Sequence, residues 1–270
     1  MKKVVLITGA SSGMGRATAI LLAQKGYTVY AAARRLEIMK DLEPLGIKTL
    51  LMDVTDETSM EKGVQQIFET ENRIDVLINN AGFGAYGAIE DLPMDGAKYQ
   101  FDVNVFGAMR LTQLVLPKMR ENKFGKIVNI SSIGGKMATP YGGWYYASKF
   151  ALEALSDALR NEVKAFGIDV IIMEPGGVKS EWIEIAYNNL VKNSSRSAYK
   201  ASIDKLSGFI KSATANNAKP EVIAKLILKS IEVKRPKFRY VGGYMAKPAV
   251  VARKLLPDKW FDKIILFLMK

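Results

Sequence analysis

Short apolar runs alternate with helical patterns along most of the chain. Most of these runs show no alternation of apolar and polar positions, which is typical of parallel strands that are buried on both faces of a sheet. The runs lie at 3–8, 28–33, 49–53, 75–79, 126–130 and 169–174, with a weaker one at 238–242. Helical periodicity fills windows near 14–25, 58–70, 95–121, 144–165 and 220–232.

This order of elements predicts an α/β fold. Strands that alternate with helices form a Rossmann-like, doubly wound parallel sheet, here with about seven strands and with helices on both faces. The chain has no linker rich in Pro or Ser and no internal repeat beyond the alternation. We therefore expect a single domain over residues 1–270, with a C-terminal helical extension.

The composition excludes several kinds of chemistry. Of the 270 residues, 49% are apolar and 24% are charged, which is ordinary for a soluble globular protein. The chain has no Cys and no His, so disulfides, a Ser-His-Asp triad and metal sites built on thiolate or imidazole are excluded, and we expect no metal. Acid–base chemistry near neutral pH must therefore use Tyr, Lys, Asp or Glu.

The positive charge is concentrated at the C-terminal end. The formal net charge is +12, and residues 234–270 hold ten Lys or Arg and two Asp. Such a segment indicates an anionic surface or a phosphorylated ligand nearby, or else only a solvated face. The N-terminal apolar run is too short for a signal peptide, and no run approaches the ~18 apolar residues of a transmembrane helix. We therefore expect a cytoplasmic protein.

A glycine-rich segment links the first predicted strand to the first predicted helix. It reads Thr8-Gly9-Ala10-Ser11-Ser12-Gly13-Met14-Gly15. Glycines in such a loop allow a tight turn and let a phosphate approach the backbone N–H groups of the helix N-terminus. The position of the segment predicts nucleotide binding, although its glycine spacing differs from the plain G-x-G-x-x-G pattern.

Two arginines at the end of the second predicted strand indicate which dinucleotide binds. NAD-binding proteins place Asp or Glu about 20 residues after the glycine loop, where it accepts a hydrogen bond from the ribose 2′-hydroxyl. Here that position holds Arg34, followed by Arg35. A guanidinium cannot accept that bond but matches a 2′-phosphate, so the pair predicts NADP(H) unless the arginines are only surface charges.

The third pattern is a tyrosine four residues before a lysine. Tyr145 and Lys149 lie on one face of a predicted helix, because residues at i and i+4 are neighbours there. An ammonium beside a phenol favours phenolate and is expected to lower the tyrosine pKa, which gives a proton donor or acceptor in a chain without histidine. The adjacent Tyr146 has Phe150 at the corresponding position, so the spacing selects Tyr145.

These motifs together resemble the short-chain dehydrogenases/reductases over roughly the first 233 residues. Asp53-Val54 is similar to the adenine contact of that family, and Asn79-Asn80-Ala81-Gly82 to the motif after its fourth strand. Asn104 matches the helix asparagine of the family, and Ser132 precedes the tyrosine by the usual separation. Pro175-Gly176-Gly177-Val178-Lys179-Ser180 is similar to the Pro-Gly motif at the nicotinamide, with Ser180 where Thr is usual.

The resemblance implies an NADP(H)-dependent oxidoreductase that transfers hydride between the nicotinamide and a carbonyl or secondary alcohol. It implies that Ser132 orients the substrate oxygen and that Tyr145 moves the proton. Lys149 would support the tyrosine and hold the nicotinamide ribose, and Asn104 would hold a proton-relaying water. The residues expected at the cofactor are Gly9, Ser11, Ser12, Gly13, Met14, Gly15, Arg34, Arg35, Asp53, Val54, Asn80, Ala81, Gly82, Tyr145, Lys149, Pro175, Gly176, Val178 and Ser180.

A second serine competes for the role at the substrate oxygen. Ser131 directly precedes Ser132 at the end of a predicted strand, and adjacent strand residues face opposite ways. The family spacing selects Ser132.

Residues 178–219 are expected to cover the substrate, as the matching region does in similar enzymes. Their apolar side chains indicate either a lid that packs on itself or an apolar mouth for a lipophilic substrate of steroid, retinoid or long-chain ketone type. These side chains are Trp182, Ile183, Ile185, Tyr187, Leu190, Phe209 and Ile210.

The basic extension over residues 234–270 ends in an apolar helical stripe. The stripe consists of Trp260, Phe261, Ile264, Ile265 and Leu268. The predicted helix is too short to cross a bilayer, so it docks on the protein or a second subunit, or lies in a membrane interface. Burial of such side chains would hold the helix without lipid, so we expect docking near the substrate mouth, with peripheral membrane contact as the alternative.

Two other functions fit the motifs less well. An NADP-binding sensor on the same fold would not need all four of the expected catalytic residues. A nucleic-acid binder is suggested by charge alone, and the tail has no recognised motif or stacking platform, so we expect no nucleic acid. We expect a homodimer or tetramer that assembles through the long helices near 95–121 and 144–165.

Overall fold

A seven-stranded parallel sheet forms the centre of the molecule. The computed structural model describes residues 2–194, 197–205 and 214–268, with only the backbone of Leu268. The strands are β1 (Val4–Thr8), β2 (Thr28–Ala33), β3 (Lys48–Leu51), β4 (Val76–Asn79), β5 (Gly125–Ile130), β6 (Ile168–Pro175) and β7 (Arg239–Gly242). Their order is β3-β2-β1-β4-β5-β6-β7, and each neighbouring pair is parallel. The predicted doubly wound sheet is confirmed.

Helices cover both faces of this sheet. They are α1 (Gly13–Gln24), α2 (Glu57–Glu71), α3 (Met94–Phe101), α4 (Gly107–Glu121), α5 (Gly143–Val163), α6 (Glu181–Asn193), α7 (Glu221–Glu232), α8 (Ala246–Leu255) and α9 (Asp258–Leu268). On one face, α1 and α7 pack with the turn Glu37–Leu45 to form one apolar core. On the other face, α2, α4 and α5 form a second core. The strands between the two cores are buried on both sides, which explains their continuous apolar runs.

The helical window predicted at 95–121 is interrupted. A π-helical turn, Asp102–Phe106, separates α3 from α4 and carries Asn104. Gly107 follows this turn, and a Cβ at that position would lie 2.3 Å from the carbonyl oxygen of Val54. Glycine therefore lets α4 pass close to the chain beyond β3. The hydrophobic period is the same on both sides of the turn, so the sequence pattern did not reveal it.

The sheet order reverses between β1 and β4. In parallel α/β sheets, ligands bind at the carboxyl ends of the strands where the order reverses. Here the two loops that leave these strands are joined, because Asn80 N and Ala81 N donate to Thr8 Oγ1 at 3.1 and 3.0 Å. The Asn80 side chain also donates to the carbonyl oxygen of Thr8 at 2.9 Å. These two loops therefore form a crevice at the point where the strand order reverses, and their hydrogen bonds hold its shape.

The C-terminal stripe does not dock on the body as predicted. Phe261 is buried, with 6% of its surface exposed, and Ile265 is half-buried, but Trp260 is 60% exposed and Ile264 43%. The expectation of a buried stripe is therefore wrong for Trp260 and Ile264, because α9 turns only one edge towards the protein. The Leu268 side chain, like Phe209 and Ile210 of the proposed lid, lies outside the described residues. Among the described helices, none is long and apolar enough to cross a membrane.

Candidate active site

A cleft of about 770 Å³ opens at the carboxyl ends of the central strands. All the residues expected at the cofactor line it except Gly15, which lies behind the glycine loop. Ser132, Tyr145 and Lys149 line the same cleft, while Asn104 is buried behind its wall. The structure thus brings together residues that are far apart in the sequence.

The glycine loop is shaped by backbone geometry that other residues would disturb. Gly9 and Gly13 have φ values of +64° and +55°, in the left-handed region that favours glycine. A Cβ on Gly15 would lie 2.4 Å from Asn80 Nδ2 and 2.5 Å from the carbonyl oxygen of Gly9. Ser12 precedes α1 without a side-chain capping hydrogen bond among the described residues, and the first turn of α1 has no acidic residue. The N-terminus of this helix therefore suits the phosphates of a dinucleotide.

The two arginines lie at the rim of the same cleft, at the end of β2. Arg34 donates a hydrogen bond to the Tyr99 hydroxyl at 2.6 Å. Arg35 donates to Ser11 Oγ at 3.4 Å and to a carboxylate oxygen of Glu181 at 2.9 Å. Both guanidinium groups and the Ser11 hydroxyl line this end of the cleft, beside the Glu181 carboxylate, and these donors suit a phosphate.

Ser132 and Tyr145 line the same part of the cleft. The Ser132 hydroxyl is close enough to the Tyr145 phenol that its hydrogen bonding acts to lower the tyrosine pKa. Its Oγ also accepts a hydrogen bond from Gly134 N at 3.0 Å and donates to the carbonyl oxygen of Pro175 at 3.4 Å. Ser131 Oγ is buried and has no hydrogen-bond partner among the described residues. Of the two serines, Ser132 is the one that contacts Tyr145.

Lys149 lies below the tyrosine, one turn along α5. Its Nζ donates to the carbonyl oxygen of Ile130 at 2.9 Å and lies 5.9 Å from the centroid of the Tyr145 ring. Burial lowers the pKa of Lys149 to about 8, and the Glu153 carboxylate opposes this shift. Glu153 is itself buried and forms an ion pair with Lys136 at 2.5 Å. The pKa of Lys149 is therefore close to neutral pH, so the charge of this side chain changes just above neutrality.

Asn104 is held by the π-helical turn and by its neighbours. Its Oδ1 accepts a hydrogen bond from Phe83 N at 2.8 Å, and its Nδ2 donates to the Phe83 carbonyl oxygen at 2.9 Å and to Ser148 Oγ at 3.0 Å. A Cβ on Gly82 would lie 3.7 Å from Asn104 Oδ1 and 3.9 Å from Lys149 Nζ. The asparagine and the lysine therefore face one small space, and the expected water relay stays a prediction.

The pKa of Tyr145 moves in the direction opposite to the one expected from sequence. Burial raises the pKa of its phenol, and the hydrogen bond to Ser132 only partly opposes this shift. The expectation that Lys149 lowers the pKa of Tyr145 is therefore wrong for this structure. Desolvation of the buried side chain disfavours the phenolate. Tyr145 holds its proton at neutral pH.

An aromatic wall beside Tyr145 was not predicted as a unit. The Tyr86 ring lies 5.6 Å from the Tyr145 ring and 5.9 Å from the Trp182 ring, centroid to centroid. Gly84 makes room for the tryptophan, because a Cβ there would lie 2.5 Å from its ring. The only sequence signal for Tyr86 is its position just after the Asn-Ala-Gly motif. Tyr146 also lines the cleft, and its hydroxyl shares a hydrogen bond with Thr139 Oγ1 at 2.6 Å.

Helix α6 closes this wall from outside. Asn189 Nδ2 donates to the carbonyl oxygen of Gly84 at 3.4 Å, and Asn193 Nδ2 donates to that of Tyr86 at 3.0 Å. The helix begins at Glu181, directly after the Pro-Gly segment, and so carries Trp182 to the cleft. This part of the lid region contacts the catalytic side of the site.

The chain is similar to many known proteins. The family pattern described as short chain dehydrogenase matches residues 3–191. A probable short-chain type dehydrogenase/reductase of Helicobacter pylori is 38% identical over 97% of this chain and 96% of its own length. A 3-ketodihydrosphingosine reductase of Bacteroides thetaiotaomicron is also 38% identical, over 95% and 94% of the two chains.

Further similarity extends to another named reductase and to a solved structure. An NADPH-dependent 3-dehydrocapnine reductase of Ornithobacterium rhinotracheale is 34% identical over 97% of this chain and 95% of its own. The crystal structure of a short-chain dehydrogenase from Streptomyces avermitilis is 32% identical and superposes with a TM-score of 0.82, covering 94% of this chain and 92% of that one. With the sheet, the glycine loop and the Ser-Tyr-Lys cluster in place, the chain belongs to the short-chain dehydrogenase/reductase family of oxidoreductases.

Proposed function

We propose that this protein is an NADPH-dependent reductase that acts on the carbonyl group of a lipophilic substrate. The observation that carries the proposal is that Ser132 and Tyr145 line one cleft, with the serine hydroxyl close enough to the phenol to act on it by hydrogen bonding. The pair lies in a cleft with an aromatic wall on one side and the rim arginines on the other. These are the groups that a carbonyl reductase needs at its reacting oxygen and at its cofactor.

The cofactor preference is argued from the rim of the cleft. NADPH, when bound, supplies the hydride. Arg34, Arg35 and Ser11 would hold the 2′-phosphate, and the residue directly after β2, where NAD-binding proteins place Asp or Glu, is Arg34. The similar reductase from Ornithobacterium rhinotracheale is named as NADPH-dependent, which supports the same preference.

The protein's own residues would handle the substrate oxygen and its proton. Ser132 donates a hydrogen bond to the carbonyl oxygen and orients it, and Tyr145 gives its phenolic proton to the same oxygen. Lys149 stabilises the phenolate that remains, and the space shared with Asn104 is a path for the returning proton. Because burial keeps the proton on Tyr145, the phenol is in the protonation state that carbonyl reduction requires.

The substrate class is argued from the wall of the cleft. Tyr86, Trp182 and Ile185 line the catalytic side and present apolar surface to whatever binds there. Such a surface suits a lipophilic chain or ring beside the carbonyl group. The similar protein from Bacteroides thetaiotaomicron is named for the reduction of 3-ketodihydrosphingosine, which supports a lipid ketone as the substrate.

The proposal is tested by following NADPH oxidation in absorbance. 3-Ketodihydrosphingosine in detergent micelles is compared with a long-chain 3-ketone that lacks the amine and with a small water-soluble ketone, each with NADPH or NADH. We expect turnover with NADPH, and kcat/KM that rises with the length of the apolar group. Turnover with NADH alone would overturn the cofactor assignment, and no turnover with any ketone would overturn the reductase assignment.

A further inference from the structure

The two C-terminal helices expose apolar side chains that the catalytic cleft does not use. Residues of α8 and α9 do not line that cleft. Yet six large apolar side chains of these helices are between 43% and 75% exposed. They are Val251, Leu255, Trp260, Ile264, Leu266 and Phe267. A group of exposed apolar side chains of this kind marks an interaction site.

On α9 three of the four exposed apolar side chains form a stripe with lysines along one edge. At about 100° per residue, Trp260, Ile264 and Phe267 share one face of the helix. Lys259 and Lys263 flank that face, and Lys263 Nζ lies 4.9 Å from the centroid of the Trp260 ring. The two acidic residues of the helix, at 258 and 262, fall on the opposite side.

On α8 the same pattern repeats. Val251 and Leu255 lie one turn apart and are both exposed, and Lys247 and Lys254 lie beside them on the helix surface. Arg253 is on the other side, where it connects the two helices.

Two contacts fix α9 against α8. The Arg253 guanidinium pairs with Asp258 at 2.8 Å and lies 5.4 Å from the centroid of the Phe261 ring. Phe261 is buried, so it anchors α9 while the stripe faces outward. The stripe is thus presented by a folded helix pair, with its acidic residues and its arginine turned away from the exposed face.

The charge of this segment decides between two kinds of partner. Four lysines lie beside the exposed side chains, at 247, 254, 259 and 263, while Asp258 and Asp262 fall on the opposite side of α9, so two copies meeting through this face would bring like charges together. An anionic lipid surface would instead neutralise the lysines while the apolar stripe enters the headgroup region, where tryptophan is favoured. We propose that α8 and α9 bind the surface of an anionic membrane through this lysine-flanked apolar stripe.

This surface is independent of the proposed reduction, since its residues lie outside the cleft. Binding of a membrane to this surface would hold the enzyme where lipophilic substrates concentrate. The same preparations are therefore assayed for NADPH oxidation with a water-soluble ketone. This separates failure of the membrane proposal from failure of the proposed function.

The test is vesicle flotation of the full-length protein at low and high salt. Vesicles of phosphatidylcholine alone are compared with vesicles of phosphatidylcholine and phosphatidylglycerol. We expect binding only to the anionic vesicles and its loss at high salt. The double variant Lys259→Gln/Lys263→Gln should weaken binding about 30-fold at low salt, given the typical gain for each basic residue near an anionic surface.

Matched variants separate the stripe from general effects of charge and apolar exposure. Trp260→Ser/Phe267→Ser should abolish binding, whereas Leu51→Ser, at an exposed position of the edge strand β3, should leave it unchanged. Lys25→Gln/Lys62→Gln removes the same charge from exposed positions elsewhere and should also leave it unchanged.

Three outcomes would overturn the proposal. They are equal binding to neutral vesicles, no binding to anionic vesicles, and self-association without lipid that the Trp260→Ser/Phe267→Ser variant abolishes in sedimentation velocity. The last outcome would assign the stripe to a second copy of the chain.

Discussion

The proton held by Tyr145 is the central feature of the site at the scale of single residues. Replacing Tyr145 with Phe removes only the hydroxyl, so we expect turnover to be abolished while NADPH binding stays nearly intact. The neighbouring Tyr146 provides the matched control, because its hydroxyl is bonded to Thr139. Tyr146→Phe should stay active and lose about 1 kcal/mol of stability with that hydrogen bond. Initial rates and NADPH titration by fluorescence measure both variants, and an inactive Tyr146→Phe would contradict the assignment.

Cofactor choice depends on the two rim arginines. A charged hydrogen bond to a phosphate contributes roughly 1.5–3 kcal/mol, which is about 10- to 150-fold in affinity. Arg34→Ala should therefore weaken NADPH binding by about that factor and leave NADH binding almost unchanged. Arg35→Ala should have the smaller effect, since Arg35 already shares its guanidinium with Glu181. Calorimetric titration of both cofactors measures the difference, and equal losses for NADPH and NADH would exclude a 2′-phosphate contact.

The depressed pKa of Lys149 predicts the pH dependence of reduction. Lys149 is charged below its pKa of about 8 and neutral above it, while Tyr145 keeps its proton across this range. The neutral lysine no longer stabilises the phenolate, so kcat/KM for reduction should fall as the pH rises through about 8. Because the Glu153 carboxylate raises this pKa, Glu153→Gln should move the fall to lower pH. A pH–rate profile that stays flat through this region would show that the lysine charge is not required.

At the scale of elements, the interrupted helix fixes the position of Asn104. Gly107→Ala would place a Cβ 2.3 Å from the Val54 carbonyl oxygen, so α4 must shift and the π-helical turn with it. Such overpacking costs about 1–3 kcal/mol, and we expect a lower free energy of unfolding together with reduced activity. Gly96→Ala in α3 is the control, because no described residue outside its own stretch of helix lies within 4 Å of the added Cβ, and it should stabilise by about 0.5–1 kcal/mol. Urea denaturation measures both variants; equal stability of the two would contradict this account.

The elements also show what a sequence can predict and what it cannot. The strands and the glycine loop were found because their signals are local: an apolar run, or glycines at a strand–helix junction. The raised pKa of Tyr145 depends on burial beside Tyr86 and Trp182, which lie far away in the chain. Whether the apolar face of α9 is buried depends on which parts of the folded body lie next to it, and here the body covers only the side that carries Phe261. A hydrophobic period shows that a helix has an apolar face, but it does not show what covers that face.

At the scale of the whole molecule, two long helices suggest how copies of the chain associate. Phe106 and Phe150 are 61% and 45% exposed, the first on the turn that leads into α4 and the second on α5. We expect a homodimer or tetramer through these helices, and Phe150→Asp should shift it to monomer in sedimentation velocity at micromolar concentration. Trp260→Ser, on a different surface, should leave the assembly unchanged. A monomeric protein without substitutions would contradict this prediction.

The two sides of the cleft differ in how firmly they are closed. The cofactor side is joined by hydrogen bonds from backbone amides of the β4 loop to Thr8, and by the Asn80 side chain. The α6 side is connected to the opposite loop by the side-chain amides of Asn189 and Asn193. We therefore expect local opening to require less free energy at α6 than at the glycine loop. If the protein is the proposed reductase, we expect turnover to follow a fixed sequence, in which the cofactor enters first and leaves last while α6 admits the ketone and releases the alcohol.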